Sequence, residues 1–171
     1  RFVPRDPFTT YATYDDILRG EQYPPVSTAR NKGWSATFDW DLNDALALKI
    51  IAAEHTISGQ YSHDQDESPL PLFNVWGTVE SEESSLEARL SGTAFNDRFE
   101  WTAGAFFWDA NQQNGGRVSL TYYQLPFLVF DTDDHNEAEN KGLYFHSITS
   151  LTDRLSLTAG LRTSDDEKVF T

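Results

Sequence analysis

Residues 34–42 alternate without exception: Trp34, Ala36, Phe38, Trp40 and Leu42 fall on one face of an extended chain, Ser35, Thr37, Asp39 and Asp41 on the other. A period of two marks a strand with one face in an apolar medium. Five more runs share the period. Leu48, Ile50 and Ala52 oppose Lys49, although Ile51 and Ala53 blur the pattern. Leu86, Ala88 and Leu90 oppose Glu87, Arg89 and Ser91; Phe99, Trp101, Ala103, Ala105 and Phe107 oppose Glu100, Thr102, Gly104, Phe106 and Trp108. Leu143, Phe145 and Leu151 oppose Tyr144, His146 and Ser150; Leu155, Leu157, Ala159 and Leu161 oppose Ser156, Thr158, Gly160 and Arg162. Helical periodicity is weak throughout. Six antiparallel strands are expected, paired in chain order, with centres near residues 38, 50, 88, 103, 146 and 159.

The connections alternate between short and long. Asn43-Asp44, Asn96-Asp97-Arg98 and Thr152-Asp153-Arg154 carry turn residues and predict three tight turns at one end. Residues 57–82 and 109–140 read as long acidic loops, with a further strand pair expected within 117–130, where β-forming residues are dense. The segment before Trp34 is long and contains Pro4, Pro7, Pro24 and Pro25. Short turns on one side and long loops on the other, with apolar residues at alternate positions, describe part of a transmembrane β-barrel.

Composition sharpens this. The chain has 171 residues, 13 basic and 27 acidic, for a net charge of −14, and aromatics make up 14%. The acidity speaks against a nucleic-acid partner. No apolar run is long enough for a transmembrane helix. There is no cysteine, which excludes a disulfide scaffold, a thiolate zinc site and a cysteine nucleophile. There is no methionine either, even at position 1, so residues 1–171 are expected to be a piece of a longer chain.

No catalytic constellation is present. His55, His63, His135 and His146 are scattered, and no metalloprotease, nucleophile-elbow or phosphate-loop motif occurs. No cofactor is expected. Asp131, Asp133 and Asp134 are calcium candidates by composition, beside the plainer reading of a solvated acidic loop, and the same applies to Asp64-Gln65-Asp66-Glu67. Lys49, Glu87, Arg89, Glu100 and Arg162 fall on polar strand faces and are expected to point into a lumen, pairing with one another or meeting a ligand. Tyr122, Tyr123 and Phe127 in the longest loop, with Trp108 at its base, are candidate ligand contacts, beside the plainer reading of loop packing. Trp40, Phe99 and Trp101 are candidates for an interfacial aromatic girdle.

Several phrases carry a family resemblance. Residues 33–42 with Ala47-Leu48-Lys49-Ile50, residues 64–70, residues 84–92 followed by Glu100-Trp101-Thr102-Ala103-Gly104-Ala105-Phe106-Phe107, and above all residues 151–162 follow one another in a familiar order. The chain resembles the middle of the barrel of a TonB-dependent outer-membrane receptor. The resemblance implies a bacterial outer-membrane location, contact with lipid, and energy-dependent uptake of a scarce nutrient such as a ferric siderophore. It implies as partners the remaining barrel strands, a plug domain and an inner-membrane energy transducer reached through an N-terminal segment. The plug and the terminal barrel strands are missing from these 171 residues. The alternative is a soluble all-β ligand-binding module. The two differ in whether Trp34, Phe38, Trp40, Leu86, Phe99, Trp101, Leu157 and Leu161 form an exposed belt or a packed core.

Overall fold

A computed structural model describes residues 15–16, 21–22, 26–67, 72–120 and 128–171. Two dipeptide strands, β1 (Asp15–Asp16) and β2 (Glu21–Gln22), pair with each other. The rest is one antiparallel six-stranded sheet in chain order: β3 (Ser27–Asn43), β4 (Leu46–Asp64), β5 (Phe73–Ala94), β6 (Phe99–Leu120), β7 (Leu128–Thr152) and β8 (Leu155–Phe170). All six expected centres lie in these strands, one in each. Among the described residues there is no helix.

The three tight turns share one edge, as expected. Asn43 closes the first by accepting the Ala45 N–H on its side-chain oxygen at 2.9 Å. In the third, Thr152 Oγ1 accepts the Arg154 N–H at 3.3 Å. The second is built from consecutive left-handed residues, Phe95, Asn96 and Asp97, at φ of 57°, 56° and 61°. Asn and Asp tolerate that region; Phe does not readily.

The expected long loops are mostly strand. β4 runs to Asp64 and β5 begins at Phe73, while β6 and β7 pair as far as Leu120 and Leu128. Residues 118–120 and 128–130 do pair, but as the ends of β6 and β7 and not as extra strands. The reason is physical. Beyond the bilayer both faces of a strand meet water, so alternation disappears while the backbone ladder continues. Strands of 16 to 25 residues exceed the ~9–11 needed to cross, which leaves long stretches outside.

The register reveals the tilt. Asn43, Leu46, Gly92, Trp101, Ser147 and Ala159 lie in one row of directly opposed residues. The second hairpin runs on two residues past this row, to the pair Ala94–Phe99. Phe99 leads through Thr149 to Leu157, and the third hairpin runs on again to Leu155. The tips therefore step by roughly one residue per strand. With a rise of about 3.4 Å and a strand spacing of about 4.8 Å, that slope is a tilt of about 35°, within the range of outer-membrane barrels. The apolar border slides in the same sense. Trp34 is in register with Glu167, whereas the unbroken apolar run of β8 on that face ends at Leu161.

The apolar face forms a belt, not a core. On the interior strands Leu86 is 50% exposed, Leu143 61% and Phe145 43%. On the edge strands Trp34, Phe38, Trp40, Leu157 and Leu161 are also exposed, while on interior strand β6 Phe99 and Trp101 are half-buried. From Glu80 to Leu86 the belt-side residues of β5 are exposed and their polar-side neighbours half-buried, so the sheet bends away from the belt. Among the described residues the only large side chain below 2% exposure is Asn74. Among the described residues no second layer covers the belt, which is not the arrangement of a soluble all-β module. From Phe99 to Phe107 the belt runs about 27 Å along the strand, which the tilt projects to about 22 Å, close to the ~25 Å apolar band of outer-membrane barrels. Trp101 stacks on Phe145 at 6.5 Å near the turn edge, and Phe38 meets Trp40 edge-on at 6.4 Å.

Candidate functional site

The polar, concave face carries the charged residues singled out in the sequence. Asp39, Lys49, Arg89, Gly104, Tyr144 and Arg162 form one directly opposed row across all six strands. Glu87 and Glu100 lie on the same face, opposite Phe106 and Thr93. All five sequence candidates are thus on the side away from the belt.

Three of these groups form a connected cluster at mid-belt height. Arg89 presents its guanidinium fork to Glu87, with Nε on Oε1 at 2.8 Å and Nη2 on Oε2 at 2.7 Å. Tyr144 donates its hydroxyl to the same Oε1 at 2.6 Å. Tyr144 sits on β7 and Glu87 on β5, so the phenol must cross β6. It does so over Gly104, where an added Cβ would collide with the ring. Beside this cluster Lys49 pairs with Asp39 at 3.0 Å. Each of these cations therefore has a carboxylate partner within the sheet. Such charge-assisted, forked pairing suits a place where water is limited.

Glu100 is exposed and, with Asp41, Ser91, Thr102 and His146, borders a concavity of about 610 Å³ near the turn edge. Arg162 lies opposite Tyr144. Trp108 is not in a loop but on β6, half-buried on the concave face between Ser85 and Asn140. Tyr122, Tyr123 and Phe127 lie outside the described residues.

The calcium candidates are not brought together. Asp131, Asp133 and Asp134 belong to β7, not to a loop, and strand alternation sends Asp134 to the face opposite the other two. Asp131 is forked by Arg117 at 2.6 and 2.7 Å, and Asp133 accepts from Gln113 at 3.1 Å. Asp64 and Asp66 bind the backbone of their own connection: Asp64 Oδ1 accepts the Asp66 and Glu67 amides, and Asp66 Oδ2 the Phe73 amide. No group of three or more metal-binding side chains occurs among the described residues.

Sequence reasoning missed Tyr144 and Asp39 as partners in this site. Both sit on polar faces by alternation, but what they touch depends on register across strands, which alternation does not encode. It also missed a change of character on the convex face. Directly above the belt, Glu54, Ser84, Asp109, Glu139 and Glu167 form the next row, and Glu80, Glu82 and Glu137 follow.

A family model described as "TonB dependent receptor-like, beta-barrel" matches residues 2–171. The chain belongs to that family, the β-barrel part of TonB-dependent receptors, which serve transport in the bacterial outer membrane. No curated protein matches the chain.

Proposed function

We propose that residues 1–171 are part of the wall of an outer-membrane receptor for energy-dependent uptake of a scarce, bulky nutrient, ferric siderophores being one such class. In this reading the convex belt faces lipid. The strand extensions beyond it rise into the extracellular space and form part of the ligand vestibule. Lys49, Glu87, Arg89, Glu100 and Arg162 face the lumen and the plug. Further strands of the same receptor pair with β3 and β8, whose outer edges would otherwise leave backbone groups unpaired in hydrocarbon. Energy reaches the plug from the inner-membrane transducer.

The observation that carries this reading is the staggered register. Its slope and the projected belt height both match a lipid-spanning barrel, and Lys49 and Arg89 are each paired with a carboxylate on the sheet. The part proposed is structural and recognitive, with no chemistry at the wall.

The test compares three strains: wild type, one lacking the receptor gene and one lacking the transducer. Each is grown on a panel of single limiting nutrients. Loss of the receptor should reproduce one part of the transducer-deficient phenotype. Wild-type growth of the receptor-deficient strain wherever the transducer-deficient strain fails would refute uptake.

A further inference from the structure

Above the belt the two faces of the sheet differ in charge. From the row of Ser85, Trp108 and Asn140 outward, the carboxylates of the described concave face are Glu83, Asp134 and Asp166. Lys168 is its only lysine, and it has no arginine. The convex face of the same stretch is crowded with acids. An anionic ligand would approach a negative wall and meet almost no cation on reaching it, which costs both steering and binding. A cationic ligand would be better served had the carboxylates been placed inward; most face out.

What the concave face does offer is a strip along β6 and β7. Trp108 is opposite Asn140, Ala110 opposite Ala138, Gln112 opposite Asn136, and Asn114 opposite Asp134. The alanine pair makes a low floor between an aromatic face and a set of amides. Gln112 donates to Asn114 at 3.2 Å, which aligns the amides along the strip. Amides both donate and accept, as hydroxyl and amide groups of a neutral ligand do. The strip spans about 20 Å at ~3.4 Å per residue, enough for a bulky ligand.

Resting on the uptake reading, we propose that this strip binds an electrically neutral ligand bearing hydroxyl or amide groups and one apolar face, stacked on Trp108, and that the wall discriminates against anionic ligands.

The experiment uses the full-length receptor in detergent and three probes: a neutral ferric trihydroxamate, a neutral linear oligosaccharide and a trianionic ferric tricatecholate. At least one neutral probe should bind at least about 100-fold more tightly than the tricatecholate, and which one separates a chelate from a saccharide source. Trp108→Ala should weaken that binding about tenfold or more, while Trp108→Phe should stay within about threefold, since stacking needs a ring face. Unchanged heat-modifiable migration on gels checks that both variants fold. Tricatecholate binding as tight as either neutral probe, failure of both neutral probes to bind, or full affinity in Trp108→Ala overturns the proposal. Transducer-dependent uptake of an anionic nutrient would also overturn it while leaving the uptake reading intact.

Discussion

Tyr144 hydrogen-bonds Glu87 at 2.6 Å although a whole strand separates them, because residue 104, directly opposite Tyr144 on that strand, is glycine. The same arrangement recurs where the Trp101 ring covers Gly92 and the Tyr61 ring covers Gly77, each leaving under 3 Å to an added Cβ. A ring laid flat on a strand shields a backbone that glycine leaves bare. Gly104→Ala should therefore displace the Tyr144 ring, break its bond to Glu87, and destabilise the folded receptor by about 1–3 kcal/mol. In a Tyr144→Ala background the same change should be nearly silent, since the ring it strikes is gone. Thermal unfolding of the four full-length proteins in detergent, followed by heat-modifiable migration, gives this cycle. Additive losses would show that Gly104 and Tyr144 act separately.

The second turn stores a strain that can be relieved. Phe95 sits at φ 57° and is 79% exposed, touching Phe99 edge-on at 6.4 Å. A left-handed conformation costs a residue of this kind about 1–2 kcal/mol, and the ring contact returns only part of that. Phe95→Asn should raise stability by up to about 1 kcal/mol. Phe95→Val, β-branched, should lower it by more than about 1 kcal/mol. The transition midpoint in detergent reads both, and equal midpoints for the two variants would refute the strain.

The hairpins and the belt were legible in the sequence because lipid imposes alternation: Trp34 to Leu42 reads as a strand with no knowledge of its neighbours. The outer halves of β4 to β7 were not legible as strands. At Asp131 to Asn136 both faces meet water, composition suggests a loop, and only pairing with Gln112 to Arg117 holds the segment extended. The candidate site was half legible. Alternation put Glu87 and Arg89 on the polar face, but their partner Tyr144 comes from a strand 57 residues away from Glu87 along the chain. Trp108 was assigned to the base of a loop; it lies in a strand interior, because pairing carries β6 on to Leu120.

The acidic rows above the belt should make stability depend on salt. Asp109, Glu139 and Glu167 stand on adjacent strands of one face, with Glu54 in the same row two strands from Asp109, and Lys141 nearby is paired with Glu139. Like charges at such spacing repel, and the repulsion is screened as the Debye length shrinks from about 30 Å at 0.01 M to about 3 Å at 1 M salt. Asp109→Asn combined with Glu167→Gln should raise the transition midpoint of the full-length receptor at low salt. The gain should fade at about 0.5 M NaCl. A gain independent of salt would assign the effect to packing instead.

The last prediction tests which face meets lipid. Ala103 and Thr102 are neighbours on β6, and alternation puts Ala103 in the middle of the belt, in register with Leu90 and Phe145, and Thr102 on the concave face, opposite Ser91 and His146. Near the turn edge Leu157 and Thr158 repeat the contrast on β8. Arginine on the lipid face costs about 2–4 kcal/mol at mid-bilayer and falls toward about 0–1 kcal/mol near the interface. Ala103→Arg should therefore reduce assembly into membranes by the larger amount, and Leu157→Arg by less, because it lies two rows closer to the edge. Thr102→Arg and Thr158→Arg should each assemble better than their neighbours, since an arginine there reaches a polar face already carrying Glu87, Glu100 and Arg162. The measurement is the fraction of full-length receptor recovered in outer membranes in heat-modifiable form. If Ala103→Arg and Thr102→Arg assemble equally, the belt does not face lipid, and the assignment of convex and concave sides falls with it.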